Sequence, residues 1–117
     1  MPRVPGARAS DPALLVLLSL AGGDKHGHAL AVDIETLSGA RPGPGTLYGA
    51  ITRLEEQGLI EALPEDGRRR PYRLTGDGLR ALDEGLRELR RLAAAGDERV
   101  AAASGRLGLP HALRGST

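Results

Sequence analysis

The first apolar pattern along the chain predicts a buried helix. Residues 13–21 are apolar on nearly every face of a helix, which is typical of a helix covered on more than one side. Asp11 and Pro12 precede this run, and they favour a helix start because aspartate caps helices and proline fits the first helical position. We therefore expect a helix over residues 12–21, ended by the two glycines that follow.

Two more helices are predicted from apolar residues that recur at spacings of three and four. Their ranges are 27–38 and 44–57, and the second of them begins with a proline and is closed by Gly58. Gly39 is expected to end the first of the two. The apolar positions are Leu30, Ile34 and Leu37 in one helix and Leu47, Ile51 and Leu54 in the other.

After Gly58 the pattern changes from helical spacing to short extended runs. Residues 59–63 and 68–75 lie on either side of an Asp-Gly dipeptide, which favours a tight β-hairpin. Thr75 is then expected to cap a fourth helix. That helix carries leucines at alternating spacings of three and four, a seam of about two heptads that suits packing on the domain or on a second subunit.

The order of elements, three helices, a hairpin and a further helix, predicts a mainly α fold with a small β-hairpin: a winged helix-turn-helix with a C-terminal dimerisation helix. We expect a flexible N-terminal arm over residues 1–10, the DNA-binding domain over 11–75, the dimerisation helix over 76–104 and a frayed tail over 105–117. Because the first helix is apolar all round and the chain is small, surplus apolar surface is expected to meet a second copy. The residues assigned to that interface are Leu15, Leu18, Leu79, Leu82, Leu86 and Leu89.

Composition narrows the possible functions. A chain of 117 residues has room for one domain with a modest core. The absence of cysteine excludes disulfides, thiolate metal sites and cysteine nucleophiles. The net charge of +1 does not indicate a nucleic-acid partner, so the local distribution of charge has to decide that question.

Two groups of polar residues fit a double-stranded DNA partner. Hydroxyls and a guanidinium project from the third helix away from its apolar stripe, which suits a DNA major groove. Arginines at the hairpin tip would reach phosphates or the minor groove. Tyr48 also has an alternative interpretation as a core aromatic. The candidate DNA-binding residues are Thr46, Tyr48, Thr52, Arg53, Arg68, Arg69 and Arg70.

Four segments resemble the PadR family of transcriptional repressors. They are residues 14–20, 26–30, 44–60 and 67–75, and the resemblance covers about residues 12–92. The most specific part is 45–58, where Gly-Thr-Leu-Tyr is followed by Arg-Leu-Glu and a closing glycine.

The resemblance implies a function as well as a fold. It implies a homodimeric repressor that binds a palindromic operator through helix three and the wing, and that releases it when a small-molecule effector binds near the dimer interface. By the same similarity, Thr46, Tyr48 and Arg53 would contact phosphates or bases, and the wing arginines would add backbone contacts.

A secretory signal is the alternative interpretation of residues 13–21, which follow two arginines and end in a small-x-small pattern. The run is far shorter than the roughly 20 residues that span a bilayer, and its start is that of a capped helix. We therefore interpret it as a buried helix and expect a cytoplasmic protein without membrane contact.

Metal binding and catalysis are not expected. His26 and His28 stand at i and i+2, a spacing that points to different sides of a helix, so we expect no metal site and no cofactor. The chain contains no recognisable nucleophile motif and no glycine-rich phosphate loop, so we do not expect an enzyme. The remaining alternative is a winged-helix protein-interaction module without specific DNA binding.

Overall fold

The computed structural model describes residues 10–110, and the structural statements below refer to that range. The predicted flexible arm, apart from Ser10, and residues 111–117 of the predicted tail lie outside it. The elements in chain order are α1 Pro12–Ala21, β1 Lys25–His26, α2 Gly27–Ser38, α3 Pro44–Glu56, β2 Ile60–Ala62, β3 Pro71–Leu74 and α4 Gly76–Leu107.

Helix α1 forms the centre of the core. The Asp11 carboxylate caps it by accepting a hydrogen bond from the Ala13 backbone N–H at 2.9 Å. Val16 and Leu17 are fully buried, because α1 contacts α2, α3, α4 and β3. The prediction of a buried helix over residues 12–21 is confirmed.

Polar contacts join α1 to the middle of α2 and to β1. The buried Ser19 hydroxyl donates to the Asp33 carboxylate at 2.5 Å. The Lys25 ammonium donates to the Ser19 carbonyl oxygen at 2.5 Å, so β1 is held by the same residue of α1. These bonds hold together α1, α2 and the short strand that precedes α2.

Helix α2 has the predicted bounds but a shorter apolar stripe than expected. It ends at Gly39, whose φ of 85° is a left-handed conformation that glycine adopts without a steric penalty. Leu30 and Ile34 are buried, whereas Leu37 is 48% exposed. The assignment of Leu37 to the buried stripe is wrong, because residues 35–40 are all exposed and the last turn of α2 extends past the core.

The sheet has three strands within the described range, not the two that the hairpin pattern predicts. Its order is β1-β3-β2, and β3 runs antiparallel to both neighbours. In the β1–β3 pair, Lys25 stands opposite Tyr72 and His26 opposite Pro71. The wing is therefore attached directly to the residues that begin α2.

The tip of the hairpin is a tight turn. The Asp66 backbone N–H donates to the Arg69 carbonyl oxygen at 2.8 Å, and the Arg69 N–H donates back to the Asp66 carbonyl at 3.2 Å. Gly67 between them has a φ of 68°, which the turn requires and a glycine supplies readily. A tight turn is present at the predicted Asp-Gly, but its central residues are Gly67 and Arg68. The extended run expected from residue 68 is therefore wrong at its start, because Arg68 lies in the turn and β3 begins at Pro71.

Helix α4 is longer than the sequence pattern predicts. The Thr75 hydroxyl caps it by accepting from the Gly78 N–H at 3.0 Å. The helix continues to Leu107 and ends at Gly108, so its expected end at residue 104 and the fraying expected over 105–107 are wrong. A single glycine such as Gly96 costs a helix only about 1 kcal/mol, and the alanines and charged residues around it are good helix formers.

The leucines assigned to a dimer interface fall into different environments within one subunit. Leu15 and Leu82 are buried in the core of the subunit, and three others are partly buried against that core. Leu79 is 55% exposed, and Leu92, which the assignment did not include, is 70% exposed. Leu15 and Leu82 thus belong to the core of one subunit, whereas Leu79 is the residue of the assigned set that is mostly exposed. The three partly buried residues are Leu18, Leu86 and Leu89.

Candidate nucleic-acid interface

The side of α3 that faces away from the core carries the predicted polar residues. Leu47, Ala50, Ile51 and Leu54 are buried and hold the helix on the domain. Tyr48 is 49% exposed, so its alternative interpretation as a core aromatic is wrong. The other exposed residues of the predicted set are Thr46, Thr52 and Arg53.

These polar residues spread around α3. At about 100° per residue, Thr46 and Tyr48 lie at opposite edges of the exposed side. Thr46 lines a cavity of about 300 Å³ at the turn between α2 and α3, whereas Tyr48 faces the wing. A Cβ on Gly49 would lie 3.5 Å from Arg53 Nη1, so the guanidinium folds back beside this glycine.

A groove of about 280 Å³ separates the recognition side of α3 from the wing. We call it the wing groove. It contains both tyrosines of the chain together with the whole arginine run. Its lining residues are His26, Gly27, His28, Tyr48, Arg68, Arg69, Arg70 and Tyr72. The structure thus brings Tyr48 next to the wing arginines and leaves Thr46 apart from them.

Gly27 is needed for the position of Tyr48. A Cβ on Gly27 would lie 2.8 Å from Tyr48 Cζ and closer still to the hydroxyl oxygen. The tyrosine ring therefore lies on the first turn of α2, in space that only a glycine leaves open. No local sequence pattern indicates this contact, because it joins residues 21 positions apart.

Tyr72 lines the wing groove from strand β3. Burial and the negative charge of Glu55 raise the pKa of its hydroxyl above the ordinary value, and Tyr48 adds to the effect. Like any tyrosine near neutral pH, Tyr72 keeps its proton and can donate to an anion. The hydrophobic pattern had assigned residue 72 only to a strand.

The wing arginines are held by weak, exposed contacts. Arg70 Nη2 lies 3.5 Å from Glu65 Oε1, and both side chains are about half exposed. Arg69 Nη1 lies 3.1 Å from His26 Nε2. Exposed ion pairs contribute at most about 1 kcal/mol, so the Arg70 guanidinium can exchange Glu65 for a phosphate at little cost.

The two histidines at the start of α2 stack on each other. Their ring centroids are 6.4 Å apart with an interplanar angle of 10°. The expectation that they point to different sides is wrong, because His26 precedes the helix in an extended conformation. Residues 10–110 contain no cluster of three His, Cys, Asp or Glu that would hold a metal ion.

The same range contains no helix that is both long enough and apolar enough to cross a membrane. Helix α1 is apolar but has 10 residues, and α4 has 32 residues but is rich in charge.

Residues 14–84 match the Transcriptional regulator PadR-like family. The chain belongs to this family. The matched range contains α1, the helix-turn-helix, the wing and the first turns of α4. The PadR-like resemblance read from the sequence is confirmed, and so is the mainly helical winged fold.

Three comparisons illustrate the extent of the similarity. An uncharacterized 37.1 kDa protein in transposon TN4556 of Streptomyces fradiae is 46% identical over 85 residues, which are 73% of this chain and 25% of that protein. Transcriptional regulator Rv3488 of Mycobacterium tuberculosis is 42% identical over 83 residues, 68% of this chain and 77% of that one. A PadR family transcriptional regulator from Eggerthella lenta has a similar structure, with a TM-score of 0.64, 31% identity and coverage of 74% of this chain and 80% of that one. This chain thus spans about a quarter of the length of the Streptomyces protein.

Proposed function

We propose that this protein is a dimeric, sequence-specific DNA-binding repressor that recognises a palindromic operator. The single observation that carries the proposal is that the exposed polar side of α3 continues into the arginine-lined wing groove. Membership of a family of transcriptional regulators supports it.

The shape of this surface fits a B-DNA duplex. Helix α3 has 13 residues and is therefore about 20 Å long, and it carries Thr52 and Arg53 where a major groove would meet it. Their hydroxyl and guanidinium groups can read base edges. Tyr48 and the wing groove would then lie against the phosphates beside that groove.

The exposed part of α4 supports dimerisation with a second copy. The helix has 32 residues, about 48 Å, and residues 91–100 are all exposed, including two large apolar side chains, Leu92 and Val100. Exposed apolar surface along one helix is typical of a helix that packs against a partner. A two-fold axis through paired α4 helices would direct both α3 helices to one face of a duplex.

Such a dimer gives a physical mechanism for control. Successive major grooves on one face of DNA are about 34 Å apart, so a change in the angle between subunits misplaces one recognition helix. An effector needs only to bind more tightly to the dimer conformation whose subunit angle does not fit DNA. Repression then follows from occupancy of a promoter, and its relief follows from release.

Fluorescence anisotropy with DNA from the region upstream of the protein's own gene tests the proposal. We expect the intact protein to bind that fragment at least about a thousandfold more tightly than a shuffled duplex of equal length and composition, as specific regulators do. Equal affinity for both duplexes would instead favour the protein-interaction alternative.

A further inference from the structure

His26 contacts two different parts of the fold at once. It ends β1 and is the N-cap of α2, where its Nδ1 accepts a hydrogen bond from the Ala29 backbone N–H at 3.3 Å. Its Nε2 points the other way, into the wing groove, and lies 3.1 Å from Nη1 of Arg69.

The second contact brings two hydrogen-bond donors together. A neutral imidazole has one donor nitrogen and one acceptor nitrogen, and a guanidinium has donors only. In the tautomer that keeps this helix cap, Nδ1 accepts the bond and Nε2 of His26 carries the proton. Nε2–H and Arg69 Nη1 therefore converge with no acceptor between them, and the opposite tautomer would lose the helix cap instead.

We propose that His26 Nε2–H and Arg69 bind one phosphate oxygen between them, and that His26 is thus a DNA-backbone ligand of this protein. An anionic oxygen satisfies both donors and keeps the helix cap. The inference deepens the proposed function and rests on it for the source of the phosphate, a phosphodiester of the operator backbone.

The surroundings favour an anion at this point. Arg68, Arg70 and the protonated hydroxyl of Tyr72 line the same groove. The N-terminus of α2, a helix of 12 residues, opens at His26, so its positive end faces the same space.

The acidic groups in the neighbourhood do not occupy the position between His26 and Arg69. Glu65 pairs with Arg70 at 3.5 Å on the wing. Glu55 on α3 acts on Tyr72. The two donors are thus left to an external acceptor.

Titration with inorganic phosphate tests the anion site without DNA. Long-range ¹H–¹⁵N NMR of the imidazoles should show the Nε2–H tautomer of His26, and phosphate should shift its ring signals saturably. The signals of His26 are identified as those missing from His26→Asn. Asparagine is chosen because it also caps helices but does not reach Arg69. Chloride at matched ionic strength is the control. An Nδ1–H tautomer, or a response to chloride equal to that to phosphate, would overturn the proposal.

Binding to a duplex of fixed arbitrary sequence tests whether the phosphate is that of DNA. His26→Asn should lower the affinity roughly tenfold per subunit, the order expected for one hydrogen bond to a charged group. The salt slope, which is the slope of log affinity against log salt concentration, should not change because a neutral donor releases no counterion. Arg69→Ala should lower the slope by about 0.9 per subunit. The two changes should be less than additive, since they remove ligands of the same oxygen.

The matched control for Arg69 is Arg73→Ala, an arginine of the same hairpin whose Nη2 is held by Glu61 at 2.7 Å. Arg73→Ala should lower the DNA affinity and the salt slope less than Arg69→Ala does. A wild-type affinity in His26→Asn, with an unchanged thermal midpoint, would refute the role of His26 on DNA. If the intact protein binds no duplex at all, the proposed function fails, whereas the phosphate titration still decides the anion site.

Discussion

Gly78 lies where the first turn of α4 meets the base of the wing. Its N–H donates to the Thr75 hydroxyl, and the residue is buried against the Leu59 carbonyl group. That carbonyl oxygen already accepts the Thr75 backbone N–H at 3.1 Å. The contact thus joins the predicted dimerisation helix to the DNA-binding part of the chain, and Gly78→Ala tests it.

The cost of the methyl group follows from what it would meet. A Cβ at residue 78 would overlap the Leu59 carbonyl oxygen and lie 2.8 Å from Leu74 Cδ1. A backbone oxygen cannot rotate away, so we take the upper end of the overpacking range, about 3 kcal/mol. Alanine gains about 1 kcal/mol in helix propensity. The net loss of about 2 kcal/mol should lower the thermal midpoint by roughly 10 °C.

Urea and thermal unfolding followed by circular dichroism measure this loss. Protein concentration must be held fixed because an oligomer's stability depends on it. The matched control is Gly105→Ala near the end of the same helix, where a Cβ meets no described atom within 4 Å; it should gain about 0.5–1 kcal/mol. A Gly78→Ala protein as stable as the wild type would refute the packing argument.

Three further predictions concern function. Tyr48→Ala and Arg53→Ala should each weaken operator binding by about tenfold or more per subunit, with the dimer intact by sedimentation; unchanged affinity in both would reject the DNA face. Replacing Arg68, Arg69 and Arg70 together by alanine should lower the slope of log affinity against log salt concentration by up to about 2.7 per subunit. Anisotropy between about 50 and 200 mM salt measures this slope, and a wild-type slope would show that the wing does not contact phosphates. Leu92→Asp should give a folded monomer with poor DNA affinity, because this side chain is 70% exposed within a subunit; sedimentation of an intact dimer would count against the α4 interface.

The helices could be predicted from the sequence because their ends carry local signals. Asp11 and Pro12 begin α1, Gly39 ends α2 and Thr75 caps α4, and each acts within three or four residues. The predicted end of α4 at residue 104 is wrong because Gly105 does not stop the helix. In a long helix each glycine costs about 1 kcal/mol, which its neighbours offset.

The wing groove could be predicted only in part. The helical spacing of apolar residues predicts the exposed side of α3, and the Asp-Gly dipeptide predicts the arginine-rich turn. The winged fold then predicts that the two lie close together. Strand β1 has two residues, too few for any period, and its pairing with β3 depends on residues 45 or more positions away. The contacts of Gly27 with Tyr48 and of His26 with Arg69 are likewise long-range, so no local pattern indicates them.

Mapping the DNA-contact surface by backbone amide NMR tests the central claim most directly. The intact protein is titrated with its operator duplex, and the perturbed amides are placed on the structure. We expect the largest changes in residues 45–53 of α3, in residues 26–28 at the start of α2 and in residues 66–72 of the wing. Changes confined to other surfaces, with these three segments unaffected, would contradict it.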